Sequence, residues 1–223
     1  MNQQTLLQTP PLSLYIHIPW CVRKCPYCDF NSHEPGNELD ESAYITALMS
    51  DLDQELVDNK HREIKSIFFG GGTPSLFSAA SINNIIEDVR SKASLTRDIE
   101  ITLEANPGTF EQQKFADYRS AGVNRLSIGV QSFNDYKLHR LGRIHDGREA
   151  IMAIESAYAA GFENINLDLM FGLPAQSVEE AVEDVELACK LQPSHAVSYT
   201  HLSCRRQDMG GVGGGGGVGG GGG

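Results

Sequence analysis

Ala121-Gly-Val-Asn-Arg-Leu-Ser-Ile-Gly-Val130 and Ala160-Gly-Phe-Glu-Asn-Ile-Asn-Leu-Asp-Leu-Met170 repeat one arrangement, a strand–helix unit apart. In each, alanine closes a helical pattern, glycine terminates it, and an apolar run opens a strand. Working outward, similar apolar runs predict strands at Leu12–Pro19, Ser66–Phe69, Ile99–Ala105, Arg125–Val130, Asn164–Phe171 and His195–Leu202. They read as near-continuous hydrophobic segments, as buried parallel strands do. Helical periodicity lies between them. Ser42–Asn59 places Ile45, Leu48, Met49, Leu52 and Leu56 on one face, and Ser81–Lys92 does so with Ile82, Ile85, Ile86 and Val89. Thr109 with Gln112 reads as a capping box, and Gly122 as a helix terminator. Gly147–Ala160 carries Ile151, Ile154 and Tyr158 and stops at Gly161. Ser177 with Glu180 caps a last helix whose apolar face is Val178, Ala181, Val182, Val185 and Ala188. This alternation predicts an α/β fold, a parallel sheet with helices packed outside it. Six units are too few for a closed eight-stranded barrel and make a partial (β/α)6 TIM-like barrel, with ligands at the C-terminal strand ends.

Residues 1–11 read as a lead, 12–202 as the core and 203–223 as an aberrant tail. From Gly210 onward the tail holds only Gly and two Val, and disorder is expected there. Eighteen Lys and Arg against 29 Asp and Glu give a net charge of −11, which argues against nucleic acid as a partner. No stretch reaches the roughly 18 apolar residues of a membrane span. Met1–Thr9 lacks the pattern of a signal peptide, so a cytoplasmic location is expected.

The five cysteines are unevenly placed, with three inside Tyr15-Ile-His-Ile-Pro-Trp-Cys21-Val-Arg-Lys-Cys25-Pro-Tyr-Cys28-Asp-Phe30. In a reducing compartment such clustering favours metal over disulfides. Three thiolates in a short loop after a strand can hold an iron–sulfur cluster and leave one of four irons open. The alternative is zinc, with His17, His33 or Asp29 as fourth ligand. Cys189 falls on the apolar face of the last helix and reads as core, and Cys204 carries no role. His17 reads first as a satisfied strand histidine. The glycines of Gly70-Gly-Gly-Thr73 would let a ligand approach the backbone and leave N–H groups free to bond it.

The cysteine spacing resembles the radical SAM signature, with Tyr27 before the third cysteine. From about Leu14 to Val197 the chain resembles, more narrowly, the oxygen-independent coproporphyrinogen III oxidase family and its HemW-type heme chaperone subfamily. Further marks are Phe69-Gly-Gly-Gly-Thr-Pro74, Leu103-Glu-Ala-Asn-Pro107, Ser127-Ile-Gly-Val-Gln-Ser-Phe133, Leu141-Gly-Arg143 and Asn166-Leu-Asp-Leu-Met-Phe-Gly-Leu-Pro174.

The resemblance implies a [4Fe–4S] cluster on Cys21, Cys25 and Cys28, with S-adenosylmethionine (SAM) chelating the open iron. It assigns Gly71, Gly72 and Thr73 to the amino-acid end of SAM and Glu104 to its ammonium or ribose. Tyr15, Tyr27, Gln131, Arg143 and Asp168 are assigned further SAM contacts, in some members to a second SAM. The implied chemistry is one-electron cleavage of the sulfonium to methionine and a 5′-deoxyadenosyl radical. Oxidase members usually carry another cysteine two residues after the third, where this chain has Phe30, and a longer N-terminal extension. Both departures favour the chaperones, which bind heme and hand it to acceptor proteins. The implied partners are therefore heme or porphyrin, an acceptor protein and an electron donor. A coproporphyrinogen oxidase, or another radical SAM enzyme such as a methyltransferase, is the alternative.

Overall fold

A computed structural model describes residues 9–36 and 39–200. Six strands, β1 (Leu12–Ile18), β2 (Ile64–Gly71), β3 (Leu95–Ala105), β4 (Arg125–Gln131), β5 (Asn164–Met170) and β6 (His195–Tyr199), form one sheet in sequence order. Every neighbouring pair is parallel. The connections carry α1 (Glu41–Glu55), α2 (Ala79–Lys92), α3 (Thr109–Gln112), α4 (Phe115–Ser120), α5 (Asp135–Arg140), α6 (Gly147–Ala159) and α7 (Val178–Lys190). The sheet is the partial α/β barrel that the alternation predicts.

The strands are not uniformly apolar. Ile99, Ile101, Leu103 and Ala105 of β3 are buried, while Glu100 is exposed and Glu104 half-buried between them. In β5, Ile165, Leu167 and Leu169 are buried and alternate with Asn164, Asn166 and Asp168. Helices cover one face; the concave face is polar. Side chains alternate along a strand, so one-sided burial splits β1 to β5 into two chemistries, whereas β6 is exposed except for the half-buried Tyr199. The apolar half forms one continuous core with Ile82, Ile85, Ile86, Val89, Phe115 and Ile154 from the helices.

Two strands begin earlier than their apolar runs: Lys65, Arg97 and Asp98 lie at a register shift, where the β2–β3 pairing moves from Ile64 with Leu95 to Ser66 with Glu100. Helix α1 stops at Glu55 and gives way to turns through His61. Thr109 opens α3, and the Gln112 amide donates to the Pro107 carbonyl at 3.0 Å. The box at Ser177 and Glu180 does form, and a further one joins Asp146 to Glu149. Gly122 and Gly161 end their helices at φ +102° and +85°, a region glycine enters without steric cost.

Helix α7 departs most from expectation. Val178, Val182 and Val185 are exposed, and so is Cys189. The buried positions are Asp184 and Ala188. Asp184 accepts from Ser132 Oγ at 2.7 Å and from Phe133 N–H at 2.8 Å. Beside it, the buried Lys137 ammonium pairs with Glu180 at 2.9 Å and donates to the Ala175 carbonyl. Polar docking to the loop after β4 sets the rotation of this helix and overrides its hydrophobic period. Asp184→Ala strands a buried hydroxyl and a buried N–H. It should cost about 2 kcal/mol in urea unfolding, whereas Val182→Ala should fall within roughly 0.5 kcal/mol.

Residues 201–223 lie outside the described residues, so the end of the last predicted strand, Cys204 and the glycine tail are not placed.

Candidate functional site

The strands deliver their C-terminal ends to one rim, and the loop after β1 folds over it. Trp20 anchors the loop by stacking on Phe77 at 5.7 Å and meeting Tyr44 edge-on at 4.5 Å. The loop then closes on itself. His33 donates its N–H to the Pro19 carbonyl at 2.7 Å, and Cys21 N–H donates to the His33 carbonyl at 2.9 Å. The Lys24 ammonium reaches the Phe30 and Ser32 carbonyls at 3.2 and 3.1 Å. Together with the Trp20 anchor and Tyr27, which packs against Leu141, Met170 and Leu173, these polar ties set the loop's shape.

Cys21, Cys25 and Cys28 are free and half-buried, and all three open on one cleft of about 710 Å³ including its mouth. Among the described residues, no three His, Cys, Asp or Glu side chains close around a point that one ion would occupy. A tetrahedral zinc needs sulfurs roughly 3.8 Å apart. His17, one candidate fourth ligand for zinc, has both ring nitrogens engaged, by Tyr15 Oη at 3.1 Å and the Asn31 carbonyl at 2.8 Å. It is the satisfied strand histidine expected first. Three free thiols around an open volume fit a multi-iron group better than a single ion. Burial is the main cause holding the Cys28 thiol up, and the neighbouring cysteines add to it.

The same cleft is lined by Tyr27, Gly71, Gly72, Thr73, Glu104, Gln131, Arg143 and Asp168. Tyr15 is not on that lining. It projects from β1 over Phe68, ring centroids 6.2 Å apart, and is more than half exposed.

The glycine loop works differently from expectation, because its N–H groups are already spent. Gly71 donates to Glu104 Oε2 at 3.2 Å, Gly72 to the Ile18 carbonyl at 2.7 Å and Thr73 to the Trp20 carbonyl at 2.6 Å. The glycines are needed for close packing. A Cβ on Gly71, at φ +115°, would fall 2.6 Å from the His17 ring, and one on Gly72 would fall 2.5 Å from the Trp20 carbonyl oxygen.

Glu104 is held at a pKa of about 7, mainly by burial; the Gly71 N–H works against this and the charge of Asp168 adds to it. Asp168 is also raised by burial, although Ser127 Oγ at 3.0 Å and Asn166 Nδ2 at 2.8 Å both donate to it. Gln131 ends β4 at φ +67°, where the β4–β5 register shifts. Such backbone is uncommon outside glycine. Its Oε1 accepts from Tyr199 Oη at 2.6 Å.

Asn106, Ser127, Gly129 and Tyr199 also line the cleft and were not singled out from the sequence. The first three lie inside quoted motifs, Asn106 directly after β3 and Ser127 and Gly129 on β4. Tyr199 ends the last strand and carries no local mark. His145 lies close behind: its Nε2 donates to the Val130 carbonyl at 3.1 Å. Burial and the Arg143 charge lower its pKa to about 4.

The radical SAM superfamily model matches residues 15–188. A heme chaperone, HemW, from Escherichia coli is 53% identical over 194 residues, which cover 87% of this chain and 51% of that protein. A mitochondrial radical S-adenosyl methionine domain-containing protein 1 from Bos taurus is 39% identical, with 87% and 43% covered. Among solved structures, the coproporphyrinogen III oxidase HemN from Escherichia coli superposes with a TM-score of 0.77 at 29% identity, covering 86% of this chain and 44% of that one. The chain spans about half the length of the curated relatives it matches.

Proposed function

The chain belongs to the radical SAM superfamily, and from that premise we propose that it is the cluster- and SAM-binding part of a heme chaperone. Membership implies a [4Fe–4S] cluster and SAM. The observation that carries the site is the convergence of three free thiols, Gly71–Thr73 and Glu104 on one cleft. Cys21, Cys25 and Cys28 would hold the cluster, and Glu104, Gln131, Arg143 and Asp168 would orient SAM, with Tyr27 on the wall. When bound, the pair supplies one-electron reductive cleavage of a sulfonium. The chain's own part is to fix positions: Lys24 closes the cysteine loop, Gly72 lets the loop lie against β2, and Glu104 offers a carboxylate to a cationic ligand.

Heme binding and transfer to an acceptor are supported by the heme chaperones among the most similar relatives. Reduction requires a low-potential one-electron donor as a second partner. Among the described residues no helix is long and apolar enough to cross a membrane. Free clustered cysteines suit the reducing cytosol, where we place the protein. The test is anaerobic: the full chain, reconstituted with iron and sulfide, is given heme, and separately coproporphyrinogen III with SAM and a reductant. Tight heme binding without formation of protoporphyrinogen is expected, and turnover to protoporphyrinogen would sink the chaperone reading in favour of the oxidase.

Glu104 gives the site a pH signature. Only the ionised carboxylate attracts SAM's positive groups, so affinity should rise with pH through about 7. Glu104→Gln should weaken binding about tenfold at pH 8 and flatten that dependence in calorimetric titrations. Stability of the unliganded chain runs the other way. The folded pKa is raised, so this group's stabilisation is full below pH about 4.5 and is lost as pH climbs through about 7.

A further inference from the structure

Arg143 faces sulfur. It follows α5, and Gly142 beside it, at φ +75°, lies close enough to the cysteine loop that a Cβ would sit 3.0 Å from Pro26. Nη2 of Arg143 donates to Asn106 Oδ1 at 2.6 Å and to the Gly129 carbonyl at 2.9 Å. Those bonds fix the plane of the guanidinium and leave Nη1 directed at Cys25 Sγ, 3.7 Å away. Asn106 is itself pinned, its Nδ2 donating to Thr73 Oγ1 at 3.1 Å. A chain of contacts thus runs from the glycine loop through Asn106 and Arg143 to one thiol.

We propose that Arg143 is a positioning residue for the cluster, donating to the Cys25 thiolate and setting the cluster's reduction potential, beyond any contact with SAM. This rests on the reading that the three cysteines hold a [4Fe–4S] cube. The physics is simple. Reduction takes one electron from a low-potential donor and makes the cube one unit more negative, with no bond broken. A fixed cation and an N–H···S bond stabilise that added charge, so the potential rises. A cation held by two other acceptors costs no reorganisation when the electron arrives.

The experiment is an anaerobic redox titration of the reconstituted full chain, without SAM, followed by the paramagnetic signal of the reduced cube. Arg143→Met should shift the one-electron equilibrium about tenfold toward the oxidised form, a midpoint about 59 mV lower. Arg143→Lys, which keeps the charge but not the fork, should recover part of the shift. If Arg143→Met does not retain a cube, Asn106→Ala, which frees the guanidinium from its anchor, must lower the midpoint instead. An unchanged midpoint in the variants that load a cube, with only SAM affinity lost, would overturn the proposal. A wild-type chain that forms no cube would overturn the cluster reading beneath it, and the two failures are distinguished by the wild-type signal.

Discussion

Cys28→Ala should lose its iron and sulfide on anaerobic reconstitution, by more than tenfold relative to the unaltered chain, with its fold intact. Outer partners of a metal centre already cost about 10–100-fold when removed, and a direct ligand costs at least as much. The thiol is half-buried and contributes little to the core, so far-UV circular dichroism should not change. Cys189→Ala is the matched control, since that thiol is exposed on the outer helix and its loss should leave iron content unaltered. The measurement is iron, sulfide and zinc per chain together with the optical spectrum. Full iron loading in Cys28→Ala, or preferential zinc capture by the unaltered loop, would remove the basis for the cluster.

Gly72→Ala should be nearly as damaging for a different reason. The added methyl would sit 2.5 Å from the Trp20 carbonyl oxygen and 2.9 Å from the Pro19 carbonyl carbon. Both are backbone atoms, and neither can swing aside as a side chain can. The same strip carries the Gly72 bond to Ile18 and the Thr73 bond to Trp20. Relief requires the start of the cysteine loop to move away from β2, so stability should fall by about 1–3 kcal/mol, the usual range for overpacking. Cluster retention should fall further than stability does, because the first thiol lies directly after Trp20. Thermal unfolding followed beside iron content separates the two losses. Equal behaviour of Gly72→Ala and the unaltered chain in both would show that the loop is looser than described.

Much of this was legible from the residues. The alternation at Ala121–Val130 and Ala160–Met170 announces parallel strands, and buried helical stripes such as Ile82, Ile85, Ile86 and Val89 pack as their spacing demands. The cysteine loop was legible because three thiols in a short span have few other uses. Long-range polar pairing was not legible. Nothing local says that Asp184 will reach Ser132, so the face of α7 was misread and Cys189 with it. Nor does spacing reveal that the glycine loop's N–H groups pair with β1, Trp20 and Glu104. Tyr199 joins the cleft only because β6 lies next to β5.

The two-sidedness of the sheet separates durability from chemistry. Cohesion resides on the helix-covered side, where Ile101, Leu103, Leu126, Ile165 and Leu167 are sealed. The opposite side is tied by polar bonds instead: Ser127, Asn166 and Gln131 are buried and hydrogen-bonded. Substitutions at its exposed positions can retune what the molecule recognises while leaving the scaffold standing, whereas those buried partners carry stability as well.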